Sequence, residues 1–142
     1  MPQLRIQMQV IDTLFLRFYA ANLSRSRRND PPTACADAIL QMGAVGGCVS
    51  TTVYIAVGAL LAPPLLEHLH AEDWIYFVIA AGAGGVVGLW AWWKFRGYRN
   101  DPAAAAPYGS RASVRMINIL YIVVPIAWFW ALGLASRFLG HT

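Results

Sequence analysis

Three stretches of this chain, about residues 38–62, 74–95 and 116–138, run almost without charge, while the charges crowd into the segments between them. A helix needs about 20 apolar residues to cross a hydrocarbon core about 30 Å thick, so each stretch is long enough to span a bilayer. Inside lipid the backbone must satisfy its own hydrogen bonds, which leaves helices or closed barrels. Continuous apolar runs of this length, with no alternation of polar and apolar residues, select helices.

The expected fold is therefore an all-α membrane protein with three transmembrane helices. Composition agrees: 58% of the 142 residues are AVILMFWYC and 13% are charged, against roughly 45–50% and about 25% in a soluble domain. Local chemistry marks the ends of the spans. Pro63-Pro64 stops the first run, because proline lacks a donor and disfavours helix in the residue before it. Glu72 and Asp73 precede the second and it ends at Lys94 and Arg96, matching the helix dipole at both ends. The third opens near Ser110–Ser113, carries Pro125 in its middle and finishes at Arg137 and Gly140.

The sign of the charges gives a direction. Of the 11 cations, all except Arg137 lie before the first span or between the second and third. Cations in short flanking segments accumulate on the cytoplasmic side, which places the N-terminus inside and the C-terminus outside, in a membrane such as a bacterial inner membrane. The net charge of +4 then belongs to topology. The basic run at 24–28, with Arg25, Arg27 and Arg28, reads as a juxtamembrane cluster facing lipid headgroups or a partner, as do Lys94, Arg96 and Arg99. Nucleic acid is not expected as a partner.

Residues 1–32 form a separate segment ahead of the three-helix domain of residues 33–142. Leu4, Met8, Ile11, Phe15, Phe18 and Tyr19 recur at helical spacing, which predicts an amphipathic helix. Such a helix lies at the cytoplasmic interface, packs under the bundle or docks on a partner. Asn29-Asp30-Pro31-Pro32 and Asn100-Asp101-Pro102 put an acid before proline at helix starts, and Ala103–Ala106 has room for one short turn before Pro107.

Small residues four apart mark faces where membrane helices approach closely. The first span carries Gly43, Gly47, Ser50 and Gly58, and the second carries Ala81, Gly84, Gly85 and Gly88. These stripes are expected to meet in an antiparallel hairpin or between chains. A second stripe on the first span holds Asp37, Gln41, Cys48, Thr51 and Thr52. Polar groups at membrane depth commonly face a bundle interior or a hydrated path, although Thr and Cys also bond to their own helix backbone. In the third span Pro125 frees the carbonyl of Tyr121 and predicts a kink.

Catalytic chemistry finds little footing. The sequence has no Gly-rich phosphate loop, CxxC pair, His-Glu-x-x-His or nucleophile elbow, and an enzyme is not expected. His68 and His70 stand with Glu67, Glu72 and Asp73 in the loop on the outer side as weak candidate ligands, but their spacing fits no strong motif, so a solvated polar loop is the ordinary reading and no metal is expected. No histidine lies within a span, against a bis-histidine haem, and no cofactor is expected. Cys35 and Cys48, about 20 Å apart along one helix, cannot bridge each other.

Two functions fit these residues. The first is a small homo-oligomeric channel or pore with the first span lining the path. The second is a non-catalytic accessory or scaffold subunit of a larger membrane complex.

Overall fold

A computed structural model describes residues 2–25, 30–61 and 74–139. His68, His70, Arg27 and Arg28 lie outside the described residues. Among the described residues four α-helices follow one another: α1 (Pro2–Arg25), α2 (Pro31–Leu61), α3 (Trp74–Phe95) and α4 (Arg111–Leu139). Two 3-10 segments, Arg96–Asn100 and Pro102–Tyr108, join α3 to α4, and no strand occurs among the described residues.

Two helices begin earlier than their apolar runs, for reasons visible at their first turns. At α2 the Asp30 carbonyl accepts from the Ala34 N–H at 3.1 Å, and the Thr33 hydroxyl donates to the Asp30 carboxylate. Pro31 and Pro32 occupy first-turn positions where a missing N–H costs nothing. At α4 the Ser110 Oγ accepts from the Ser113 N–H at 3.2 Å, and its carbonyl accepts from Val114 at 3.0 Å. Ser110 is thus the N-cap, in line with an opening near Ser110–Ser113, and the helix starts at Arg111, ahead of the apolar run. Ala103–Ala106 fall within the second 3-10 segment, which contains Pro107 and turns Ala105 into the interior.

Three of the helices are long and apolar enough to cross a membrane, over Pro31–Val57, Phe77–Asn100 (running into the first 3-10 segment) and Arg111–Trp128. Their flanks carry many exposed apolar side chains, among them Leu40 and Val53 of α2, Val86 and Leu89 of α3, and Ile119, Ile122 and Trp130 of α4. In water such a surface would be costly, whereas in lipid it is the ordinary exterior.

α2 and α3 form an antiparallel hairpin with near-contact between backbones. A Cβ built on Gly43 would stand 2.9 Å from the Gly84 carbonyl, and one on Gly47 would stand 2.5 Å from the Ala80 carbonyl. Real Cβ atoms do not approach so closely, so glycine at these two sites is what lets the helices lie together. α4 touches α1 and α2. Farther along, its Trp128 meets Phe77 of α3 edge to face, with ring centroids 6.2 Å apart.

The densest packing lies at one end of the hairpin. Phe15, Phe18, Tyr19, Ala20 and Ala21 of α1 are buried with Ala34, Cys35, Ala38 and Ile39 of α2, Phe95 of α3, Ala105 and Ile117. The second half of α1, read from sequence as one face of an amphipathic helix, is therefore covered by the first turns of α2, by α4 and by the 3-10 connection.

A candidate site where three helices meet

The C-terminal end of α1 approaches α2 and α4 with its polar residues. Asn22 and Gln41 exchange amide hydrogen bonds: Asn22 Nδ2 donates to Gln41 Oε1 at 2.9 Å, and Gln41 Nε2 donates to Asn22 Oδ1 at 3.4 Å. One turn beyond Asn22, the Arg25 guanidinium donates to Asn118 Oδ1 of α4. These contacts tie α1 to α2 through a part-buried amide pair, whose groups need partners there, and to α4 through an exposed bond.

Around them opens a cavity of about 680 Å³, lined by Asn22, Arg25, Thr33, Ala34, Asp37, Leu40, Gln41, Ala44 and Tyr121. Its lining residues bring one cation, one carboxylate, two hydroxyls (Thr33 and Tyr121), the amide pair and an apolar wall. Asp37 is exposed and has no ion-pair partner among the described residues. The Tyr121 carbonyl loses its helical donor because Pro125 stands four residues later, and α4 continues through that proline.

The polar stripe of α2 divides here. Asp37 and Gln41 reach the cavity, whereas Thr51 is fully buried and donates to the Gly47 carbonyl at 2.8 Å. Thr52 is exposed and donates to the Cys48 carbonyl at 2.9 Å. Cys48 is half-buried and Cys35 buried, and both are free thiols. Of the small residues, Gly43, Gly47, Gly84 and Gly88 lie at the α2–α3 contact, and Gly46 faces Val87 beside it. Ala81 is exposed, Ser50 is half-buried, and a Cβ on Gly85 would meet nothing within 4 Å. Gly58 belongs to α2, with its surroundings outside the described set.

The cations at the same end behave differently from one another. Arg99 is exposed, and Arg96 is exposed with its guanidinium 6.0 Å from the Trp92 ring centre. Lys94 instead turns inward, pairing with Asp12 of α1 and sitting 5.2 Å and 5.1 Å from the Trp90 and Phe95 ring centres. Tyr19 is buried beside this cluster with no hydrogen-bond partner for its hydroxyl among the described residues. Burial above all, with Cys35 and Asp101 nearby, pushes its pKa up to about 12.

Asn22, Asn118 and Tyr121 escape a reading by motif. Their signal is one of depth: a polar residue within a turn of Phe18 and Tyr19, or two turns inside an apolar helix, needs a partner. Among the described residues no group of three or more His, Cys, Asp or Glu is placed to hold a metal ion. Comparison of the chain with protein-family models, with curated proteins and with solved structures finds no match. Fold and site together define an all-helical protein with three helices able to span a membrane and a polar cavity at one end of them.

Proposed function

We propose that this chain is a non-catalytic accessory or scaffold subunit of a larger membrane complex. In this reading α2, α3 and α4 hold it in a bacterial-type inner membrane, with the N-terminus cytoplasmic and the C-terminus outside. The observation that carries the proposal is the fate of the polar stripe on α2. Beyond Gln41 its hydroxyls donate to their own helix, Thr51 to Gly47 and Thr52 to Cys48, and Thr51 is fully buried, so the stripe keeps fewer free donors with which to line a path. The close-approach glycines are likewise used within the chain, between α2 and α3. What is left for other helices is apolar surface along α2, α3 and α4. The cations Arg25, Arg96, Arg99, Arg111 and Arg115 at one end support the orientation.

A homo-oligomeric channel is the second reading, favoured by the cavity that contains Asp37 and Gln41. Mass measurement of the protein extracted from its own membrane in mild detergent separates the two. Stoichiometric foreign subunits select the accessory role. A homo-oligomer that conducts ions in liposomes, and stops conducting when Gln41→Leu is introduced, selects the channel.

A further inference from the structure

We propose that the cavity between α1, α2 and α4 binds the headgroup of a zwitterionic phospholipid bearing a primary ammonium, with its phosphate at Arg25 and its ammonium at Asp37.

The chemistry of the lining is mixed in a way that fits this occupant. Arg25 and Asp37 face one cavity and form no ion pair with each other. A guanidinium has five N–H donors, so the bond to Asn118 leaves donors for a phosphate, which guanidinium geometry matches well. Asp37 is exposed and accepts from an ammonium, a charge-assisted bond that a quaternary choline nitrogen, with no N–H, cannot make. An anionic lipid without an ammonium would set its negative headgroup near the Asp37 carboxylate with nothing in return. Opposite charges on the two side chains therefore select a headgroup carrying both signs.

Position supplies the second argument. At 1.5 Å per residue, the 31 residues of α2 extend about 46 Å, well beyond a hydrocarbon core of about 30 Å. The uncharged apolar run of α2 begins at Ala38, which assigns the surplus to its N-terminal end, where Asp37 stands less than two turns from Pro31. The lining then runs inward along α2 through Leu40 to Ala44, about 10 Å farther along the axis. Leu40, Ala44 and Tyr121 are exposed on spanning helices, so the inner wall faces acyl chains while the outer wall holds the charges. At about 680 Å³ the cavity falls in the size range of small-molecule sites. A soluble phosphoethanolamine would satisfy Arg25 and Asp37 but make no use of the apolar wall.

The test uses the full chain, delipidated in mild detergent and offered equal amounts of phosphatidylethanolamine, phosphatidylcholine and phosphatidylglycerol. Native mass spectrometry then reads the lipid retained. Phosphatidylethanolamine is expected to be retained about tenfold over either competitor, the factor carried by one hydrogen bond to a charged group. Asp37→Asn should bring the ethanolamine-to-choline ratio close to one without changing the melting temperature, since Asp37 has no ion-pair or hydrogen-bond partner to lose among the described residues. Arg25→Gln should lower retention of every phospholipid, whereas Asn118→Ala, which removes the same structural bond but keeps the cation, should not. Equal retention of the three lipids by the unchanged protein overturns the proposal. So does displacement of the lipid by free phosphoethanolamine or inorganic phosphate at comparable concentration, which would mark a site for a soluble anion.

Discussion

Phe15 of α1 stacks on Phe95 at the end of α3, the two rings 4.0 Å apart between centroids and within 3° of parallel. Tyr19 and Tyr98 complete the cluster at 5.9 Å from Phe15. Eighty residues separate the stacked pair, and both rings are buried. The contact holds α1 against the point where α3 leaves its helix for the 3-10 connection. Truncating a buried phenylalanine costs about 3–5 kcal/mol, so Phe15→Ala should lower unfolding stability by about 3 kcal/mol in mild detergent, followed by tryptophan fluorescence. Phe15→Leu should cost roughly half as much. A Phe15→Ala protein as stable as the parent would mean that α1 is not held by this stack.

Glycine has opposite consequences at two positions in the hairpin. On Gly47 a Cβ would lie 2.5 Å from the Ala80 carbonyl and 3.2 Å from Gly84 Cα, both backbone atoms, so α2 and α3 must separate to admit it. Overpacking of this kind costs about 1–3 kcal/mol. On Gly82 a Cβ meets nothing within 4 Å, and alanine is the better helix former by about 0.5–1 kcal/mol. Gly47→Ala is expected to lower the thermal midpoint and Gly82→Ala to hold or raise it. Shifts of the same sign would refute the close approach.

The contrast between these glycines shows where the sequence runs out. That the chain is helical with three apolar helices long enough to span is legible in the spacing of its charges, because lipid demands long uncharged runs. The glycine spacing is equally visible, but Gly82 and Gly85 stand in the same cluster as Gly84 with open space beside them, and spacing alone does not sort them. Burial of α1 is less legible still. Its Phe15, Phe18 and Tyr19 show a helical face, and Arg17 among them suggests an interface, but the covering residues Phe95, Ile117 and Ala105 are about 80–100 positions away in sequence. The site follows from that packing: Asn22 reaches Gln41, and Arg25 reaches Asn118, because α1 is seated there.

Tyr19 makes alkaline stability measurable. Its phenol has an ordinary pKa of 10.0 and is pushed up to about 12 by burial. Between these values the unfolded chain gives up the proton while the folded chain keeps it, so stability falls as pH rises. The contribution is complete below pH 10 and lost as pH climbs toward 12, for a total of about 2–3 kcal/mol at 1.36 kcal/mol per pKa unit. Tyr19→Phe removes the titration together with a buried hydroxyl that has no partner among the described residues. The variant should match or exceed the parent by about 1 kcal/mol at neutral pH. The difference between the two proteins should widen above pH 10, and parallel pH profiles would count against burial of the phenol.

The Asp12–Lys94 pair should respond unequally to loss of either member. Lys94 is the more enclosed, with 18% of its side chain exposed against 41% for Asp12, and it lies against the Trp90 and Phe95 rings. Asp12→Ala strands a cation that water reaches poorly, whereas Lys94→Met leaves a carboxylate that water can rehydrate and keeps an apolar stem on the rings. Because Asp12 is more than a third exposed, screening reduces the pair's worth well below that of a fully buried one. Asp12→Ala is expected to cost about 1–2 kcal/mol and Lys94→Met less than 1 kcal/mol. The double replacement should recover most of the Asp12→Ala loss, because no stranded cation remains. Unfolding of the four proteins at low and at high salt reads this cycle. Equal costs for the two single replacements, or additive costs in the double, would show that the enclosed ammonium does not depend on Asp12.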